Sequence, residues 1–242
     1  MQPAALSDLV KRASELTTEV TGLGADRILP VGEQFQTLLP GYGLRRGSVV
    51  GITGAVSGTT SLLLALLSAA SRSGSWCAVV GVPTMGYVAA AETGVVLERL
   101  ALVPNPGPDW PNVVAALIDG FDVVVISVGR VASGRVAASV CAQMAARARR
   151  RGSVLVPFGS GWEGAEVTLS LGDSGGWQGV GEGVGRQVTI TSHGRGAAAL
   201  GRQAHVWLPA PGGITSSNAG QYYGSTTVEP ANTGPSRLRV VR

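Results

Sequence analysis

Lysine is almost missing from this sequence. Lys11 is the only one, and the rest of the basic character comes from arginine. Histidine and cysteine are equally sparse, at two each. His193 and His205 have no ligand-like neighbours, which argues against a zinc site or a histidine-based triad. Cys77 and Cys141 fall in a predicted strand and a predicted helix, as core thiols do, rather than in a disulfide or metal framework. Aromatic residues make up 5% of the chain, too few and too scattered for a base-stacking platform. No apolar run reaches the roughly 18–20 residues that span a bilayer. The N-terminal stretch carries charges and no signal-type apolar core, so the expected location is the cytoplasm, with no membrane association.

What is present is apolar and glycine-rich. Hydrophobic residues account for 45% of 242 positions, charged residues for 14%, and mean hydropathy is +0.26, enough for one sizeable core with an appendage. The net charge of +4 is too mild to argue nucleic-acid binding by itself, so direct DNA binding is expected to be weak or absent.

Residues 4–20 have the spacing of an amphipathic helix, and a proline- and glycine-punctuated lead-in follows. A strand–helix rhythm then takes over. Apolar strands are predicted at Ser48–Thr53, Cys77–Val82, Leu100–Pro104, Asp122–Ser127 and Ser153–Phe158. Helices are predicted at Thr59–Ser73, Tyr87–Thr93, Trp110–Asp119 and Arg135–Arg151. Strands apolar on both faces, alternating with helices, predict an α/β fold: a mostly parallel sheet flanked by helices. After Gly159, short glycine-split strands predict an antiparallel extension. From Pro211 the chain reads as a polar, aperiodic tail. Three segments follow: 1–46 as N-terminal helix and lead-in, 47–210 as the core domain, and 211–242 as the tail.

One stretch carries a chemical signal. "TGAVSGTTSLLLALL" joins a predicted strand to a predicted helix, the layout of a phosphate-binding P-loop. That loop needs backbone N–H groups around phosphate, a lysine on the outer phosphates and a hydroxyl on magnesium. Here Thr53 stands at the first glycine, Gly58 at the second, Thr59 at the lysine and Thr60 at the hydroxyl. No other lysine exists to compensate, and no positive side chain is expected in the pocket. A magnesium-anchoring acid belongs at the end of the fourth strand, where Ser127 stands; Asp122 is at the opposite end. A water-activating carboxylate belongs after the second strand, where Pro83 stands. With lysine, acid and base all replaced, no hydrolysis, no metal and no cofactor is expected. On spacing alone, an ordinary strand-to-helix turn remains an equal reading.

The order of these pieces resembles the RecA-fold core from Gly47 to about Ser160. The resemblance rests on "GSVVGITGAVSGTTSLLLALL", "GFDVVVIS" and "AQMAARARRRGSVLVPFGS". In recombinases the last of these strands ends in a nucleotide-sensing asparagine–glutamine pair that leads into a DNA-binding loop. Gly159 and Ser160 stand there instead, and the loop is essentially missing. A closer similarity, over roughly residues 28–213, is to the actinobacterial ImuA-prime type of RecA-like mutasome accessory protein. It is carried by "LRRGSVV", "SGTTSLLLALL", "WCAVVGVPTMGYVAAAETGV" and "VWLPAPGG". That resemblance implies no enzyme activity. It implies an adaptor in damage-induced translesion mutagenesis, bridging RecA and an ImuB-type inactive Y-family polymerase homologue that recruits an error-prone polymerase. The alternatives are a weak nucleotide-binding protein or unconventional ATPase, and a RecA-like cell-division inhibitor.

Other features keep two readings each. The run Arg147, Arg149, Arg150, Arg151 complements a helix C-terminus or forms an anion patch with Arg45 and Arg46. Trp110, Trp162, Trp177 and Trp207 pack the core or an edge strand, or serve as interaction hot spots. The N-terminal helix packs on its own domain or docks on a neighbouring protein. Arg237, Leu238, Arg239 and Val240 form a solvated end or a partner-binding strand along an exposed sheet edge.

Overall fold

The computed structural model describes residues 27–54, 58–131, 135–175, 178–180 and 183–209. The expected helix at 4–20, the tail from 211, and Arg237, Leu238, Arg239 and Val240 lie outside the described residues.

Two short strands, β1 (Ile28–Leu29) and β2 (Leu44–Arg45), pair antiparallel around a short helix, α1 (Glu33–Gln36). This lead-in is part of the core, since Phe35, Leu38, Leu39 and Leu44 are essentially inaccessible. The chain then lays down β3 (Val50–Thr53), α2 (Thr59–Arg72), β4 (Cys77–Val80) and α3 (Tyr87–Glu92). Next come β5 (Leu100–Val103), α4 (Trp110–Gly120), β6 (Val123–Ser127), α5 (Val128–Val131), α6 (Ala138–Arg151) and β7 (Val154–Phe158). The last strands are β8 (Val167–Ser174), β9 (Gln178–Val180), β10 (Gly183–Gly194) and β11 (Arg202–Leu208).

The main sheet runs β11-β10-β8-β3-β7-β6-β4-β5, with β9 paired to β10. From β8 to β5 all pairs are parallel, and β10 and β11 are antiparallel. The fold class read from the sequence, a mostly parallel α/β sheet flanked by helices with an antiparallel C-terminal extension, is the one the chain adopts. Strand parity divides the core into two layers. Cys77, Val79, Val123 and Val125 face α2 and the lead-in, whereas Ala78, Val80, Val124 and Ile126 face α4 and α6. In α2, Leu62, Leu63, Leu66 and Leu67 have no exposed surface, and burying each contributes about 2 kcal/mol by area.

Two boundaries differ from expectation. Helix α6 starts at Ala138, not at 135, because Val136 is held extended by donating its N–H to Gly161 O at 3.0 Å. Strand β8, expected to open the antiparallel extension, runs parallel to β3 with Val50 opposite Val167. The eight residues 159–166 return the chain to the opposite edge of the sheet. Trp162 and Ala165 pack on the α4/α6 layer on the way, so the next strand re-enters in the same direction. Both cysteines are buried free thiols, as expected. Trp110 is buried and Trp162 half-buried; Trp177 lies outside the described residues.

Candidate functional site

The C-terminal ends of the parallel strands form one edge of the sheet, where ligands bind in open α/β folds. Ile52, Phe158 and Ser127 lie side by side in register across β3, β7 and β6. Gly159 donates its N–H to Ile52 O at 2.8 Å, so the residue after β7 closes back over β3. Thr53 ends β3 with its hydroxyl 3.0 Å from that of Ser170 on β8. Residues 55–57 lie outside the described residues. Gly58 is the N-cap of α2 at φ 107, a left-handed conformation that glycine adopts without steric cost. Thr59 and Thr60 begin the first turn of the 14-residue α2, whose opening N–H groups and dipole end point toward the turn.

The structure corrects one expectation here. A positive side chain does reach this turn, and it comes from β10, two strands along the sheet from β3. Arg186, opposite Leu208 in the β10–β11 ladder, is only 6% exposed. Its guanidinium lies against Gly58: a Cβ at that position would collide with Nη2, and Cζ and Nε stand 3.0 and 3.3 Å from the same point. Gly58 is therefore required twice, by its φ and by the arginine beside it. The alternation of β10 held the clue, because Arg186 shares a face with buried Val188, Ile190 and Ser192.

The remaining predicted positions carry no acid. Ser127 closes β6 nearly buried, 3.4 Å (Cβ) from the place a Gly81 Cβ would take, and Pro83 is exposed beyond β4. Neither supplies a carboxylate to anchor a metal or to accept a proton from water. Among the described residues no group of three His, Cys, Asp or Glu could hold a metal ion.

Asp122, at the opposite edge, is structural. Its buried carboxylate accepts from Arg46 Nη1 at 2.6 Å and from the Trp76 N–H at 2.8 Å. Burial, and then the negative charge of Asp122, push the Cys77 thiol up to about 12, so it stays protonated and is no nucleophile. Three arginines of the run at the end of α6 reach carboxylates. Arg147 and Arg151 both bond Asp119, and Arg149 lies 3.8 Å from Glu166. The hydrogen bond from Arg147 holds the Asp119 carboxyl below the usual range.

A sequence model of the family described as the MT3502 N-terminal domain matches residues 37–164, from the lead-in through β7 to the return segment. The "Uncharacterized protein Rv3395c" of Mycobacterium tuberculosis (strain ATCC 25618 / H37Rv) is 41% identical over 122 residues, covering 50% of this chain and 57% of that protein. The chain thus matches little more than half the length of that relative. Among solved structures, the KaiC-like protein PH0186 of Pyrococcus horikoshii OT3 aligns over 75% of this chain and 91% of its own, at 16% identity and a TM-score of 0.49. The family match takes in the turn, α2, Ser127 and Pro83 but stops before Arg186, and because it covers more than half of the sequence the chain belongs to the MT3502 N-terminal domain family.

Proposed function

We propose that this chain is a catalytically degenerate RecA-like adaptor in damage-induced translesion DNA synthesis. Its partners are RecA and an ImuB-type inactive polymerase homologue that recruits an error-prone polymerase. One observation carries the loss of catalysis: threonine, serine and proline stand at Thr59, Ser127 and Pro83, where phosphoryl transfer needs a lysine, a metal-binding acid and a general base. Among the described residues no group of three His, Cys, Asp or Glu could hold a metal ion in place of the missing acid. The named partners rest on the sequence resemblance to mutasome accessory proteins. Calorimetry of the full chain with magnesium-ATP, together with a phosphate-release assay, tests the silent site; turnover abolished by Thr60→Ala ends the reading. Affinity capture from DNA-damaged cells tests the partners, and recovery of neither RecA nor the polymerase homologue ends that half.

A second reading, nucleotide binding without hydrolysis, is favoured by Arg186, which brings a cation to the turn that lacks lysine. Saturable binding with no phosphate release, weakened by Arg186→Gln, supports it over the first.

A further inference from the structure

At the opposite edge of the sheet, where the parallel strands begin, a cavity of about 300 Å³ opens between the lead-in and β8. Its walls include buried Leu39, Val50 and Val167, while Arg45, Glu166 and Arg195 stand around it. Arg45 bonds Glu166 at 2.5 Å, and Arg149 approaches the same carboxylate at 3.8 Å. No ion pair involves Arg195 among the described residues. Three guanidinium groups thus stand around one carboxylate that only Arg45 and Arg149 pair with, a local charge of +2 against +4 for the whole chain.

Beside this cavity, between the lining residues Pro40 and Gly43, stands Tyr42. It is 68% exposed and, at φ 63, the one non-glycine residue with positive φ among those described. A bulky residue held in the left-handed region is strained by about 1–3 kcal/mol, and such strain concentrates where a surface is used. Arginine, tyrosine and an apolar pocket are the composition of protein-recognition hot spots. The volume is at the lower limit for small-molecule sites and suits one apolar side chain. The apolar walls favour a peptide over a nucleic-acid backbone, which has no apolar group to place there.

We propose that this edge docks an acidic peptide segment of a partner protein, with one apolar side chain in the cavity and flanking carboxylates on Arg45 and Arg195. The inference rests on the adaptor reading only for the occupant being a protein; the site itself stands on its geometry.

The test is fluorescence anisotropy of the full chain with a labelled heptapeptide of aspartates and glutamates around a central leucine. The controls carry serine in place of the leucine, or are an oligothymidylate. The leucine peptide should bind saturably and weaken as salt rises. Arg195→Glu should weaken it about tenfold, and Glu166→Gln, which removes the competing carboxylate, should tighten it several-fold. A role of Glu166 in holding the fold alone predicts no tightening. Thermal unfolding of both variants shows that they remain folded. Absence of saturable binding, equal affinity for the serine peptide, or tighter binding of oligothymidylate through the same arginines overturns the proposal. If the peptide binds as expected but capture from cells recovers no partner, the adaptor reading fails and this site survives it.

Discussion

Replacing Asp122 by alanine tests how the lead-in is fastened to the sheet. The carboxylate is 5% exposed and holds two donors from different parts of the chain, Arg46 Nη1 at 2.6 Å and the Trp76 N–H at 2.8 Å. Its backbone carbonyl accepts from Val154 at 2.7 Å, which joins β6 to β7 independently of the side chain. Asp122→Ala leaves the ladder intact, deprives the Arg46 guanidinium of its carboxylate and strands the Trp76 N–H. Breaking a buried ion pair from one side costs about 3–5 kcal/mol, much of it from the charge left behind. Arg46 is 29% exposed, so water reaches that charge and the cost falls to the bottom of this range or below it. We expect about 2–3 kcal/mol, and about 1–2 for Asp122→Asn, which keeps one acceptor. In a chain of this length that is a fall in Tm of roughly 5–10 °C for the alanine variant. Urea unfolding measures it as a lower midpoint at unchanged slope. The control is Glu163→Ala, which breaks the exposed Arg135–Glu163 pair at 2.9 Å and should cost no more than about 0.5 kcal/mol. If the two variants lose equal stability, the buried carboxylate does not fasten the lead-in.

Other perturbations give equally definite expectations. Gly58→Ala forces a methyl group into Arg186 at a left-handed φ and should lower stability by about 2–3 kcal/mol in thermal unfolding, whereas Gly107→Ala, at φ 75 with nothing within 4 Å, should show only the conformational part, about 1 kcal/mol. Cys77 should resist Ellman's reagent at pH 8 until urea is added. Because its folded value lies near 12 and an unfolded thiol ionises near pH 8.5, its contribution to stability is complete below that pH and is lost as pH rises toward 12. Asp119 behaves with the opposite sign. Its lowered value means the pair with Arg147 stabilises fully above about pH 4 and is lost as pH falls through the folded value, so the deficit of Arg147→Ala, followed by urea titration, should shrink in acid.

The parallel strands were legible because each is a short apolar run buried on both faces and bounded by turn residues. Cys77–Val80 and Val123–Ser127 are wholly buried, as their composition requires. The turn before α2 was legible as an altered phosphate cradle, with Thr53, Gly58, Thr59 and Thr60 falling where the spacing puts them. The direction of β8 was not, because direction depends on where residues 159–166 re-enter the sheet, and a glycine-rich segment without periodicity does not encode that locally. Arg186 was missed for a related reason. Its neighbour Gly58 is remote in sequence, and an arginine opening a strand reads as solvent-facing unless the alternation with Val188 and Ile190 is followed back to it. Arg45, Glu166 and Arg195 were equally out of reach, since strand register alone assembles them.

Strand β3 is the first of the parallel strands to be made, yet both of its neighbours, β7 and β8, arrive more than 100 residues later, as Ile52 opposite Phe158 and Val50 opposite Val167 require. While the chain is being synthesised, that strand waits with two open edges and the leucines of α2 beside it. A nascent chain halted before β7 carries an unpaired apolar strand at its centre, and one halted before β8 still leaves one edge of it open, so a chaperone or rapid completion of synthesis has to shield it.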